Sequence, residues 1–180
     1  MEIKHFKLGA INTNVYLLVN KGILIDCEES EKIYNYLLKN KIKLRYIFLT
    51  HLHPDHINGL EFLKKKTNAL VCGSDRDINL LENYLGIKVK LDKILIESEF
   101  EGIKVISTPG HSPGSLCFLV DDNLFSGDTL FYHAYGRTDL PGGSEKDMGN
   151  SLKNLFELNK EIKVYPGHGR FTTIKEELPI

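Results

Sequence analysis

A chain of 180 residues has room for one ordinary domain and little beyond it. Its 42% hydrophobic and 26% charged content is globular, and 23 Lys and Arg against 24 Asp and Glu argue against a general binder of nucleic acid or anionic membrane. No stretch approaches the ~18 apolar residues of a membrane span, and the N-terminus has no signal-peptide core. Three widely spaced cysteines, Cys27, Cys72 and Cys117, form no CxxC pair, which argues against a disulfide framework and suits a reducing cytoplasm.

In chain order, residues 2–8 and 14–19 are predicted strands, the second joined through a Lys21-Gly22 turn to a third at 22–25. Ser30 followed by Ile33, Tyr36, Leu37 and Asn40 has a helical period, with Ser30 as N-cap. A short apolar strand at 45–49 delivers the chain into THLHPDHING. A helix over 57–66, a strand at 69–72 and a short helix over 75–84 follow. Further strands are expected at 87–96, 103–107, 115–120 and 123–126, with Gly, Pro and Asp-Asn turns between them. Cys117 alternates with apolar neighbours and reads as a buried strand thiol. The Gly-rich segment 136–144 is the one long loop; a helix at 150–158, a strand at 163–165 and a polar tail complete the chain. Two strand groups, each with helices, predict an α/β (α+β) protein of two sheets packed face to face and covered outside by helices.

The chemistry concentrates in His51-Leu52-His53-Pro54-Asp55-His56. At this chain's own composition an accidental HxHxDH is expected roughly six times in ten thousand sequences. A strand end followed by a Pro54 turn aims imidazoles and a carboxylate into one cleft, and that mixture suits zinc with a second cation nearby. N-capping by Asp55 would explain the carboxylate but not the histidines. His111, Asp128 and His168 each follow a predicted strand, placed there by Pro109-Gly110, Ser126-Gly127 and Pro166-Gly167. Side chains from separate strand ends can converge.

With His51, His53, Asp55 and His56 followed by His111, Asp128 and His168 in order, the sequence resembles the metallo-β-lactamase superfamily. The strings TPGHSPGS, SGDTLF, GRTDLPGGS and PGHG are similar to its glyoxalase II-like, hydroxyacylglutathione hydrolase branch. The resemblance implies a four-layer αββα sandwich with a metal cleft at the sheet edge. It also implies that His51, His53 and His111 hold one divalent ion, that Asp55, His56 and His168 hold a second, and that Asp128 bridges them. Zinc is the expected metal, with iron and manganese as alternatives. Asp26 stands where the family carries an Asp supporting a metal-ligating histidine, although Asp26-Cys27-Glu28 departs from the usual Asp-Pro-Gly.

That ligand set implies a hydrolase in which a metal-bridging hydroxide attacks an acyl carbonyl, with Asp55 and Asp128 in catalytic positions and Asp55 able to shuttle a proton. A thiolate leaves without a strong general acid, which favours a small thioester of the hydroxyacylglutathione type. Arg137 and Tyr135 are candidates for contacting substrate. Arg137 has an alternative in an ion pair with Asp139, and the aromatic run Phe131, Tyr132, Tyr135 in the core. His133 reads as an exposed loop residue, and His5, which has no partner in the pattern of candidate ligands, as a strand surface residue. Alternatives are a mononuclear-iron persulfide dioxygenase on His51, His111 and Asp128, and a metallohydrolase of lactones or other esters. A single domain over 1–180 without a C-terminal helical glutathione-binding domain is expected, as a monomer or small homo-oligomer with no nucleic-acid or membrane partner.

Overall fold

The computed structural model describes residues 1–178. β1 (Ile3–Leu8) and β2 (Thr13–Leu18) pair antiparallel, and a 3-10 turn at Val19–Lys21 with Gly22 at φ +61° reverses the chain into β3 (Ile23–Ile25). α1 (Ser30–Lys39) crosses to β4 (Tyr46–Phe48), α2 (Pro54–Ile57) and α3 (Leu60–Thr67) to β5 (Leu70–Gly73), and α4 (Ile78–Leu85) to β6 (Lys93–Ile94). The sheet order is β1-β2-β3-β4-β5-β6, parallel from β3 onward.

The second sheet starts with an antiparallel meander of β7 (Ser98–Phe100), β8 (Ile103–Ser107), β9 (Leu116–Val120) and β10 (Asn123–Gly127). A small hairpin, β11 (Leu130–Phe131) and β12 (Ala134–Tyr135), precedes α5 (Glu145–Phe156). β13 (Lys163–Pro166) then enters parallel to β10, and β14 (Thr172–Thr173) with α6 (Ile174–Glu177) ends the described chain. The order is β14-β13-β10-β9-β8-β7.

Strand alternation sorts side chains into layers, because successive residues point to opposite faces. Ile23, Ile25, Tyr16 and Leu18 of the first sheet meet Val105, Leu116, Phe118 and Phe125 of the second in one buried cluster. Their sequence neighbours Leu24, Val15 and Leu17 face Ile33 and Leu37 of α1 and Leu60 and Leu63 of α3. On the far side Cys117, Leu124 and Val164 cover Leu155 of α5 and Ile174 of α6. The expected αββα sandwich is what these three clusters build. Among the described residues no helix is long and apolar enough to cross a membrane.

Several local expectations need correction. The strand at 87–96 is only Lys93–Ile94. Ile87, Val89 and Leu91 alternate because one side of a laddered-free segment lies against the α1–α3 core, which imitates a strand's period. β7 was not anticipated. The helix over 57–66 is two helices broken at Asn58-Gly59, where Gly59 donates its N–H to Cys27 O at 2.8 Å and a Cβ would meet Ser30 Cβ at 2.8 Å. Ser30 is the first helical residue rather than the cap, a position taken by Glu29 at φ +37°. α5 begins earlier than expected, at Glu145, where Ser144 caps it by accepting the Asp147 N–H. The polar tail is ordered as β14 and α6, with Thr173 as cap.

Candidate metal centre

The seven predicted donors come from four strand ends along one edge of the sandwich. The segment after β4 carries His51, His53, Asp55 and His56. Those after β8, β10 and β13 carry His111, Asp128 and His168. Pro54 opens α2 at its first position, where its missing N–H costs nothing, and His53 rather than Asp55 is the cap residue. Two glycines permit the convergence. A Cβ at Gly167 would collide with Asp128 Oδ1, and one at Gly136 with the Asp128 carbonyl.

Each buried ring has its outer nitrogen held. His111 Nδ1 donates to Arg137 O at 2.7 Å, which leaves Nε2 as the acceptor facing inward. His56 Nδ1 donates to Asp26 Oδ2 at 2.8 Å. His51 Nδ1 lies 3.1 Å from Thr50 Oγ1, whose hydroxyl reaches the Asp26 carboxylate at 2.9 Å. Such outer partners set tautomer and ring orientation before any ligand arrives. Asp26, just after β3 with φ +61°, thus holds His56 directly and His51 through Thr50.

The inner atoms crowd together. His56 Nε2 is 3.2 Å from Asp55 Oδ2 and 3.4 Å from Asp128 Oδ1; His168 Nε2 is 3.2 Å from Asp55 Oδ2 and 3.5 Å from Asp128 Oδ2. His111 Nε2 is 3.6 Å from Asp128 Oδ2 and 2.8 Å from His53 Nδ1. Thr13 Oγ1 also donates to Asp55 Oδ2 at 3.0 Å. Three overlapping groups have ligand atoms within 4.8 Å of one another: His51, His53, His111; His51, His56, Asp128; and Asp55, His56, His168.

Charge is distributed accordingly. Burial pushes His51 well below the ordinary imidazole value and His53 down to about 4, so both rings stay neutral. Burial acts the same way on His56 and His168, but Asp26 and Asp128 outweigh it for His56, and Asp128 and Asp55 hold His168 up to about 9. Burial likewise favours neutral Asp55 and Asp128, yet the facing histidines keep both carboxylates ionised.

Whether divalent metal suits this site is answered by the atoms left over. His51 Nε2, His56 Nε2 and Asp128 Oδ1 are buried without a hydrogen-bond partner, although buried polar atoms are nearly always satisfied. All three face into the donor groups; the neutral rings of His51 and His53 with the ionised carboxylates of Asp55 and Asp128 are the chemistry zinc and its neighbours accept, and a bound cation would take the place of the protons held on His56 and His168. The residues fit.

The remaining candidates are more dispersed. Arg137 lines the cavity beside the donors, but its guanidinium is bonded to Asp139 at 2.7 and 2.8 Å. Tyr135 is exposed, outside the cavity lining, and donates to Glu145 Oε1 at 2.9 Å; Thr138 donates to Glu145 Oε2, so the pair ties the 136–144 loop to α5. Of the aromatic run only Phe131 touches a donor, edge-on to His168. His133 is exposed at the β11–β12 turn. His5 stands apart from the donors, as expected, but is half-buried rather than a surface residue: Nε2 lies 2.8 Å from Asn14 Oδ1 and the ring stacks on Tyr16. Unforeseen is Asp77, buried just before α4, which accepts from Leu52 N, Ser112 Oγ and Gly114 N and so ties two donor segments to that helix. No sequence spacing marks it.

The family profile of the metallo-beta-lactamase superfamily matches residues 8–168, and the chain belongs to that superfamily. Within it the chain falls in the glyoxalase II-like branch. It is 36% identical over 172 residues to hydroxyacylglutathione hydrolase 1 of Vibrio vulnificus (strain YJ016), covering 93% of this chain and 66% of that protein. Against that protein and two further hydroxyacylglutathione hydrolases the chain spans 56% to 66% of their length. TTHA1623, solved in a di-iron-bound form, superimposes with a TM-score of 0.89 at 32% identity, covering 97% of this chain and 96% of that one. ETHE1 from Myxococcus xanthus gives 0.82 at 29% identity over 98% and 81%.

Proposed function

We propose that the protein is a metal-dependent hydrolase of acyl thioesters, of the hydroxyacylglutathione type. The observation that carries this reading is the set of seven convergent candidate donors, in which the outer nitrogens of His51, His56 and His111 are held and His51 Nε2, His56 Nε2 and Asp128 Oδ1 are buried without a partner. His51, His53 and His111 would hold one divalent ion and Asp55, His56 and His168 another, with Asp128 between them; zinc is the first choice, iron or manganese the alternatives. Bound metal there supplies Lewis acidity and a water of lowered pKa.

The chain's own groups do the rest. Leu52, Pro54 and Leu81 wall the donors on one side and limit access of bulk water. Asp55, whose Oδ2 lies 3.2 Å from both His56 Nε2 and His168 Nε2, would serve first as a ligand and second as a carrier of the attacking water's proton toward solvent. The departing thiolate, whose conjugate acid has a pKa near ~8.5, needs no further acid from the protein. Arg137, at the rim, is positioned to meet a substrate carboxylate by exchanging it for Asp139. Three buried, free cysteines accord with work in a reducing compartment.

The test is thioester loss from S-lactoylglutathione with protein carrying two equivalents of zinc. No loss above buffer removes this substrate. The likeness to ETHE1 fits a second reading, a mononuclear-iron persulfide dioxygenase on His51, His111 and Asp128, which leaves His53, Asp55, His56 and His168 without a role. One iron per chain together with oxygen uptake would select it.

A further inference from the structure

The donors occupy one end of a cavity of about 500 Å³, and the rest of that cavity is apolar. Leu80 with Tyr84 and Leu81 with Leu85 are i, i+4 pairs that lay one face of α4 along it. Leu140 and Pro141 of the 136–144 loop line it with them, and Ile11 from the β1–β2 turn also borders it. Ile11, Tyr84 and Leu85 are 61%, 65% and 54% exposed, an unusual grouping of large apolar side chains in water around a single opening.

Charge says which part of a substrate this wall takes. Apart from histidines, Arg137 is among the described residues the one cation lining the cavity, and it is paired with Asp139. A glutathione moiety, with two carboxylates, would engage the Arg137 guanidinium at the rim by displacing Asp139, and the apolar wall is left for the acyl part. An uncharged acyl chain finds leucines. The wall is also fixed relative to the donors, because Asp77 fastens the start of α4 to Leu52 N beside His51 and His53, and to Ser112 and Gly114 beside His111. The loop side is close-packed as well, since a Cβ at Gly142 would meet Leu80 Cδ1 at 2.5 Å.

Resting on the thioester reading above, we infer that α4 and the 136–144 loop form an acyl-chain subsite, so that lengthening the apolar acyl group of a thioester beyond acetyl improves both its binding and its turnover. Each methylene moved from water onto this wall gains several-fold in affinity when fully covered, and less in an open cleft.

The test uses zinc-loaded, full-length protein and one uncharged thiol, N-acetylcysteamine. In the first arm, kcat/KM for the hexanoyl thioester exceeds that for the acetyl thioester by about tenfold or more. In the second, uncleavable ketone analogues with CH2 in place of sulfur are titrated by calorimetry, and Kd falls by a similar factor from the acetyl to the hexanoyl analogue. Leu85→Asn, at an exposed position, brings both ratios to within about threefold, whereas Leu85→Met keeps them. A ketone series with flat Kd, with tightest binding by the shortest chain, or with no binding at all overturns the subsite. Chain-length-dependent ketone binding without thioester turnover supports the subsite and instead sinks the thioester reading.

Discussion

Asp26 Oδ2 accepts a hydrogen bond from His56 Nδ1 at 2.8 Å, while its Oδ1 accepts the Thr50 backbone N–H, also at 2.8 Å. One buried carboxylate at the end of β3 therefore orients His56 directly and His51 through Thr50. Asp26→Asn keeps the shape but presents an amide to a ring N–H, and metal affinity should fall by about 10- to 100-fold in competition with a chelator. Asp26→Ala also leaves Thr50 and His56 unpaired, and a loss of about 3 kcal/mol is expected in urea denaturation.

Gly167 and Gly169 make a contrasting pair. A methyl group at Gly167 meets Asp128 Oδ1 and His56 Cε1, whereas one at Gly169 meets nothing within 4 Å. Gly167→Ala should abolish metal retention through gel filtration. Gly169→Ala, strained only by its φ of +81°, should keep its metal and lose about 1 kcal/mol.

Metal removal should leave the fold standing, because the three apolar clusters close without it. Zinc at a hundred times its Kd adds about 2.7 kcal/mol, which for a domain of this size raises Tm by about 5–10 °C. A chelator-treated protein with no cooperative melting transition would refute this.

The thiols give a pH window. Burial pushes Cys72 up to about 12 and Cys117 up to about 11, above the ordinary value of 9.0. Folded values above unfolded ones mean that this stability is complete below pH 9.0 and is lost as pH rises through 11 to 12. Urea midpoints measured from pH 8 to 11 should therefore decline above about 9. At pH 8 a thiol reagent should find no reactive cysteine in the native chain and three after denaturation.

It is the backbone carbonyl of Arg137 that holds His111, at 2.7 Å, and the side chain that faces the cavity mouth. Arg137→Ala should leave zinc affinity unchanged within twofold. Its KM for S-lactoylglutathione should rise several-fold, read from initial rates alongside the chelator competition.

The candidate ligands were legible because metal chemistry demands particular residue types, here next to strand-ending Gly and Pro. Thr50 was readable in hindsight as the residue before His51, but its role depends on Asp26 of a neighbouring parallel strand. Ile87, Val89 and Leu91 misled because contact with a core imposes the same alternation whether or not backbone hydrogen bonds form beside it.

The sequence by itself determined the two-sheet sandwich and marked the seven candidate donors, since apolar period and coordinating residue type are local properties. Only the tertiary structure decided which atoms remain unpaired, that Tyr135 lies off the cavity, and that α4 supplies an apolar wall to the metal cleft. Those depend on how segments far apart in sequence pack together. An amphipathic period does not distinguish a leucine that closes a core from one that lines an opening.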